Sequence, residues 1–305
     1  MSAGWVAASV RAQAMARRRL GRGAARSLAG SGSVGRAVRV LAATPYGHDV
    51  RPDQGLAEAQ HAVADTVLWH LRVLAGWAPW DGARLLRVLA AGFEIANVDA
   101  MVASLAGAPE AQPFELGALA TAWPRLAGAA SLTDLRSRMA ESPWGDPGED
   151  SAAAIQTGMR LAWARRAAGQ VPQAWSLAGA ALLVARERFV AGREPPARAA
   201  DLSGVLLGVS AGASPSFGDL VRSLPRDAAW VFEGVDAPSG MWRGEAAWWR
   251  RVEEDGFRML RSGRFAPERV LGAGAVLAVD AWRVRAALEV AARGGGGLEV
   301  FDDVA

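Results

Sequence analysis

The sequence predicts an all-α protein. Apolar residues recur at helical spacing, as in a stripe spaced four, four and three residues apart that comprises Val63, Val67, Leu71 and Leu74. This stripe predicts a helix over residues 56–75, whereas strand-type alternation never continues for more than a few residues. Helical phrases that end in glycine, the residue best suited to terminate a helix, return at residues 10–21, 97–107, 181–192 and 284–294.

A second repeated feature follows the first three phrases. Residues 33–47 align without gaps on residues 131–145, and both segments begin with serine and end in Thr-Pro-Tyr-Gly or Ser-Pro-Trp-Gly. A weaker third copy with one inserted residue runs over residues 216–230. We predict a serine N-cap, a short helix and a proline that prevents its continuation. The alternative is chance similarity in a chain rich in alanine and arginine.

The remaining segments also have helical patterns. Pro79 ends the first long helix, and Asp81 is placed to cap a helix that continues into the second phrase. A polar loop, DPGED, precedes predicted helices over residues 152–168 and 173–191, and three tryptophans and five arginines occur in a helical stretch at residues 240–261.

Composition limits the class of protein. The 305 residues include no cysteine and no lysine, so a disulfide framework and a thiolate metal site are excluded. All 34 basic side chains are arginine and face 31 acidic ones, a net charge of +3 that is too balanced to indicate nucleic-acid binding. No apolar run reaches the ~18 to 20 residues of a membrane span, and the N-terminus lacks the basic region of a signal peptide, so we expect a cytoplasmic address.

Two local patterns are similar to ligand-binding motifs, but the sequence around them does not establish a binding site. Residues 30–35, GSGSVG, match the dinucleotide fingerprint GxGxxG, but that motif needs a preceding strand and the residues before it have a helical pattern. We therefore expect no cofactor. Arg17, Arg18 and Arg19 form a basic cluster that could contact phosphate or an acidic partner, the alternative being a solvated helix face.

Histidines and acidic residues do not occur at spacings typical of a catalytic or metal site. No two of His48, His61 and His70 have a metal-ligand spacing of three or four, so we expect surface or capping positions. The acidic runs at residues 253–255 and 302–303 have no matching histidine or glycine-rich loop. We therefore predict no catalytic residue, no metal site and no enzyme.

The series of phrases, with its Pro-aromatic-Gly turns, resembles the C subunit of archaeal and bacterial A/V-type ATPases, which is related to the eukaryotic vacuolar d subunit. Residues 93–97, FEIAN, stand where the family has an aromatic-acidic-x-x-Asn stretch that opens a long helix. In the third phrase this element has become LAGA at residues 177–180, although Arg186 and Arg188 keep the basic positions. The fourth phrase has Arg283 where an acidic residue is usual.

The resemblance implies a non-catalytic, funnel-shaped subunit with three similar helical segments around a pseudo-threefold axis. We place these segments at residues 1–92, 93–177 and 178–305, the last with a closing C-terminal helix. Such a subunit lies on the cytoplasmic face of the membrane, peripheral to it through the proteolipid rotor ring, and seats the central-stalk subunits D and F.

Contacts with these partners are expected from arginines that can pair with carboxylates, namely Arg11, Arg18, Arg186, Arg188 and Arg285. No nucleic acid is expected among the partners. Two other classes stay open: an α-helical scaffold for a different partner, and a nucleic-acid-binding regulator that uses an Arg-rich face.

Overall fold

The structure is a computed structural model that describes residues 3–208, 214–263 and 265–296. Within these ranges the chain forms fourteen α-helices and no strand, with 72% of the residues helical. The all-α prediction is confirmed. Asp302 and Asp303, the second acidic run, lie outside the described residues.

The helices follow one another with short connections. The first seven are α1 (Ala3–Ala16), α2 (Arg22–Ala29), α3 (Val34–Ala42), α4 (Leu56–Trp77), α5 (Trp80–Leu105), α6 (Trp123–Leu126) and α7 (Leu132–Ala140). The second seven are α8 (Ala152–Ala167), α9 (Gln173–Ala185), α10 (Ala197–Leu207), α11 (Phe217–Ser223), α12 (Arg226–Ala229), α13 (Met241–Leu260) and α14 (Pro267–Ala292).

The chain divides into two compact units. Unit 1 combines residues 1–86 with residues 249–305, and unit 2 comprises residues 87–248. The chain passes from one unit to the other within α5 and again within α13. The division into three segments at residues 92 and 177 stays a prediction.

Unit 1 is built around α14, which packs against α1, α2, α3 and α4. Its sequence is apolar on most sides and its core positions include Leu271, Val276 and Leu288, as expected of a helix with neighbours on several faces. A Cβ atom on Gly272 would lie 2.6 Å from the carbonyl oxygen of Gly256 on α13, so glycine is needed where these two helices approach.

Unit 2 contains two apolar clusters. One is formed by α5, α6, α7 and α8 around Val98, Leu135 and Ile155. The other is formed mainly by α9 to α12 around Leu220 and Phe232. The indole of Trp163 on α8 packs against both clusters. Unit 2 therefore has two cores, and α8 contributes buried residues to both.

The helical stripe is confirmed, because all four of its apolar residues are buried on α4. The helix predicted over residues 173–191 is confirmed, although it is α-helical only to Ala185 and continues as a π-helix, Arg186–Val190. One predicted end is wrong. The first phrase was expected to end at Gly21, but α1 ends at Ala16 and Gly21 is the N-cap residue of α2.

One helix among the described residues, α5, is long and apolar enough to cross a membrane by length and composition. Part of it is core, since 44% of its apolar window is buried, and it carries the fully buried Glu94. Length and hydropathy alone are weak grounds for a span, because core helices of soluble proteins have the same properties.

Candidate functional site

The two gapless segments of the sequence repeat have the same local geometry. Ser33 is the N-cap of α3, where its Oγ accepts the backbone N–H of Arg36. Ser131 is the N-cap of α7, where its Oγ accepts the backbone N–H of Asp134 at 3.1 Å. Both cap residues have extended backbones, as an N-cap requires. The predicted N-cap serines are therefore confirmed.

The Pro-aromatic turns that follow these helices also correspond. The Thr44 hydroxyl accepts the backbone N–H of Tyr46 at 3.2 Å, and the Ser142 hydroxyl accepts that of Trp144 at 3.1 Å. Each hydroxyl also donates to the carbonyl oxygen three residues earlier. These bonds fix the turn, so that Tyr46 and Trp144 both enter the interior, where they are 4% and 3% exposed.

In unit 1 the buried tyrosine meets a carboxylate on α14. Asp280 is completely buried and accepts three hydrogen bonds: from the backbone N–H of Leu20 at 2.7 Å, from that of Gly21 at 2.7 Å and from the Tyr46 hydroxyl at 2.9 Å. We call these four residues the Asp280 node. It joins α14 to the start of α2 and to the turn after α3.

In unit 2 the buried tryptophan meets a carboxylate on α5. Glu94 is completely buried and accepts the backbone N–H groups of Thr121 at 2.6 Å and Ala122 at 2.8 Å, and the indole N–H of Trp144 at 2.6 Å. We call these four residues the Glu94 node. Its donors match those of the Asp280 node: two consecutive backbone N–H groups just before a helix, and one aromatic side chain.

A cation lies beside the Glu94 node. The Arg166 guanidinium is stacked 5.1 Å from the ring centre of Trp144 and bonds to Thr121 Oγ1. Burial lowers the pKa of Arg166, and the attraction of the Glu94 carboxylate opposes this shift. A buried carboxylate and a half-buried guanidinium thus compensate each other, which reduces the cost of removing both from water.

The Asp280 node has a different electrostatic setting. Burial, followed by the negative charge of Asp280, raises the pKa of the Tyr46 phenol well above its ordinary value, so the hydroxyl stays a donor. The buried Arg283, one turn along α14, makes two hydrogen bonds of 3.1 and 3.0 Å to Glu253. In both nodes the buried carboxylate accepts three hydrogen bonds from fixed donors, an arrangement that holds loop ends in place.

Residues 93–97 attach the connection that follows α5 to this helix through three side chains. The ring of Phe93 meets that of Phe114 edge to face at 5.2 Å. Asn97 donates to the carbonyl oxygen of Phe114 at 3.0 Å and accepts its backbone N–H at 2.7 Å. Together with Glu94 on the same helix, these contacts fasten the connection between α5 and α6 back onto α5.

The Asp280 node changes which residue of the fourth phrase corresponds to Glu94. Arg283 was expected to replace the acidic residue of the fourth phrase, but the carboxylate is supplied by Asp280, three residues earlier, and Arg283 holds the position that matches Asn97. The sequence signal was a lone acidic residue in the apolar run LGAGAVLAVDAW, three residues before a polar one. It was missed because the bonding partners are 234 to 260 residues away.

The third copy keeps the cap and lacks the node. Ser216 is the N-cap of α11, and its Oγ accepts the backbone N–H of Asp219 at 3.1 Å. Pro225 then begins α12 instead of ending the segment, and the indole N–H of Trp230 donates to the nearby carbonyl oxygen of Asp227 at 3.0 Å. Leu177 on α9 has no carboxylate to offer. The third Pro-aromatic turn is therefore not equivalent to the other two.

Unit 2 also carries a groove of about 500 Å³ lined by arginines and other polar residues. We call it the arginine groove; its lining includes Gln156, Thr157, Arg160, Arg186, Glu187 and Arg193. Each of the three guanidiniums also contacts a carboxylate: Arg160 that of Asp99, Arg186 that of Glu245 at 3.4 Å, and Arg193 that of Glu187.

The π-helix forms one side of this groove. A π-turn inserts an extra residue into a helix and often occurs at functional positions. Here it carries Arg186 and Arg188, two of the arginines expected to contact partners. Arg186 is exposed into the arginine groove, whereas Arg188 is half-buried with its guanidinium 5.2 Å from the ring centre of Phe189.

The other three expected contact residues lie in unit 1. Arg11, Arg18 and Arg285 are all exposed. The Arg11 guanidinium lies 4.9 Å from the ring centre of Trp77. In the basic cluster, Arg19 donates to the carbonyl oxygen of Ala16 and stacks on an aromatic ring, whereas the neighbouring arginines are exposed. No geometry brings the five residues to one site within either unit.

One histidine differs from its prediction. His48 is exposed and pairs with Asp49 at 2.7 Å, but His70 is only 3% exposed, so the expectation of a surface or capping role is wrong for it. Burial, aided by the positive charges of Arg18 and His48, lowers the pKa of His70 to about 4. The residues before the glycine-rich segment 30–35 form α2, as predicted, and not the strand that a dinucleotide site requires.

No protein-family model matches this chain, and no curated protein is significantly similar to it.

Proposed function

We propose that this chain is a non-catalytic rotor subunit of an A/V-type ATPase, which couples the central-stalk subunits D and F to the membrane proteolipid ring. The observation that carries the proposal is the repetition of the node. Two buried carboxylates, each on a long helix, accept the same kinds of donor: two consecutive backbone N–H groups and one aromatic side chain. The aromatic donors, Tyr46 and Trp144, occupy matching positions in the two segments that align without gaps.

The repetition supports common ancestry of the two segments over chance similarity. Composition alone can reproduce an alanine-rich helix, but it does not reproduce a cap, a hydroxyl-fixed turn, a buried aromatic donor and a distant carboxylate in the same order. A subunit made of such repeated segments is what the family resemblance implies. The funnel shape and the pseudo-threefold axis belong to the proposal.

A subunit that transfers torque must resist shear deformation and must bind two partners firmly. The nodes supply stiffness, because each holds a loop, a short helix and a long helix through hydrogen bonds to a charged group, which are stronger than neutral ones. The guanidinium groups of the arginine groove can bind carboxylates of a partner, since guanidinium and carboxylate groups match in shape and charge. On this proposal the chain lies on the cytoplasmic face of the membrane, attached through the ring.

The test is affinity purification of the tagged chain from mildly solubilised membranes of its source cell, followed by mass spectrometry. We expect subunits D and F and the ring proteolipid in stoichiometric yield. Recovery of the chain alone, with an unrelated partner or with nucleic acid would reject the rotor role in favour of a scaffold or a regulator.

A charge reversal in the arginine groove tests the contact surface separately. Arg186→Glu places a carboxylate beside Glu245 and should lower the recovery of a partner. The matched control is Arg222→Glu, another exposed arginine of unit 2 with a carboxylate partner, Asp219. Equal recovery with both variants would show that the arginine groove is not an interface, while leaving the purification result unaffected.

A further inference from the structure

Helix α1 is apolar on its exposed side as well as on its buried side. Ala8, Ala12 and Met15 face the core, but the opposite side presents Val6 and Val10, of which Val10 is 55% exposed. A surface helix of a water-soluble protein normally turns polar groups outward. The helix has no acidic residue, and Arg11 is its one charged residue.

The turn between α4 and α5 adds two exposed indoles in the same unit. Trp77 is 50% exposed and Trp80 is 78% exposed. The α1 residue Trp5 lies against this turn, because a Cβ atom on Gly82 would come within 2.7 Å of its ring. Arg11 on α1 stacks on Trp77 at 4.9 Å, which joins the outer side of α1 to the indoles.

A second arginine repeats the arrangement at the other indole. The Arg84 guanidinium lies 5.5 Å from the ring centre of Trp80. We call the whole surface the Trp-Arg face; it consists of Val6, Val10, Arg11, Trp77, Trp80 and Arg84. Asp81, next to Trp80, is an exposed carboxylate at its edge.

The surrounding chain is strongly basic. Residues 1–48 contain eight arginines and no acidic residue, although the whole sequence is nearly balanced. Helices α1, α2 and α3, which lie in this stretch, all belong to unit 1. The Trp-Arg face is therefore an apolar and aromatic surface in a positively charged setting.

We propose that the Trp-Arg face binds directly to an anionic lipid surface. Indole rings favour the headgroup layer, where one side of the ring is apolar and the N–H stays hydrated, and arginines at that depth attract acidic headgroups. The valines enter the boundary of the acyl chains. A second copy of this chain would bring two basic faces together, and a nucleic acid would leave the valines without a partner, so lipid fits both the charge and the apolar groups.

This contact goes beyond attachment through a proteolipid ring and does not rest on it. The probe is flotation of the purified full-length chain with vesicles of pure phosphatidylcholine or of phosphatidylcholine with about 30% phosphatidylglycerol. We expect binding to the anionic vesicles and little to the neutral ones. No protein partner is present, so the outcome is separate from that of the affinity purification.

Trp77→Ser combined with Trp80→Ser should weaken the binding to anionic vesicles by about tenfold or more, because both indoles leave the headgroup layer. The matched control is Trp242→Ser, since Trp242 in unit 2 is also exposed, at 39%, and lies beside Arg243 at 5.1 Å. Circular dichroism checks that each variant is folded.

Three results would overturn the proposal. The first is equal vesicle binding by the double variant and the wild type. The second is release of the vesicle-bound chain by duplex DNA at low concentration, with tighter binding to the DNA. The third is a dimer at micromolar concentration that the double variant abolishes, which would make a second copy the occupant.

Discussion

At the scale of single residues, two completely buried carboxylates organise this protein, and each depends on one aromatic donor. The Tyr46 hydroxyl donates to Asp280 and the Trp144 indole N–H donates to Glu94. Because the acceptors are charged and buried away from water, each of these bonds should contribute more to folding stability than an ordinary surface hydrogen bond.

Tyr46→Phe tests this directly, since it removes only the hydroxyl. We expect a loss of about 1.5 to 3 kcal/mol in the free energy of unfolding, the usual range for a hydrogen bond to a charged group. Urea denaturation measures it. In a double-mutant cycle with Asp280→Asn the two substitutions should be strongly non-additive, and additive effects would show that Tyr46 and Asp280 are not energetically linked.

His70 should give the unfolding free energy a specific pH dependence. Its pKa of about 4 lies below the ordinary 6.5, so between these values the unfolded chain binds a proton that the folded chain does not. Stability therefore falls as the pH is lowered through this window, by roughly 3 kcal/mol in all, and levels off below pH 4. We expect His70→Gln to remove this part of the slope, and an unchanged difference between wild type and variant from pH 7 to 4 would contradict the shifted pKa.

Local sequence patterns could identify the aromatic and capping residues, and the FEIAN stretch includes Glu94, but these patterns could not pair either aromatic residue with its carboxylate. Ser131 and Trp144 are part of a short, repeated phrase, so a gapless alignment finds them. The local signal of Asp280, a lone acidic residue in an apolar run, does not identify its donors, because they are more than 230 residues away and only the folded chain brings them together. His70 was misjudged for a related reason: its burial is decided by the elements that pack over α4.

At the scale of elements, helix ends depend on both local caps and distant contacts. The caps of α3 and α7 were predictable, since a serine followed by a helical stretch satisfies free backbone N–H groups near the helix start. The end of α1 was not predictable. Arginines favour a helix, and Gly21 is a plausible terminator, yet the backbone N–H groups of Leu20 and Gly21 turn to Asp280.

The caps offer a matched pair of substitutions on one helix. Ser131→Ala should cost about 1 kcal/mol of stability because it leaves a backbone N–H at the start of α7 without its acceptor. Ser137→Ala, at an exposed position inside the same helix, should change stability by no more than about 0.5 kcal/mol. Thermal or urea unfolding measures both, and equal effects of the two changes would remove the assigned role of Ser131.

At the scale of the whole molecule, we propose that repeated segments serve a mechanical task. The sequence predicted the helical class and the two equivalent segments, because helical periodicity and a phrase of fifteen residues survive as local patterns. It did not reveal that residues 249–305 join residues 1–86 in one unit, since that return depends on the packing of α14 against the first helices.

We propose mechanical coupling between the central stalk and the proteolipid ring of an A/V-type ATPase, and the most direct test is ATP-driven ion transport in membrane vesicles of the source cell. In vesicles from a strain that lacks this chain, we predict that ATP hydrolysis persists while ion transport is lost, and that the wild-type chain restores transport. Transport at the wild-type rate in vesicles without the chain would contradict the account.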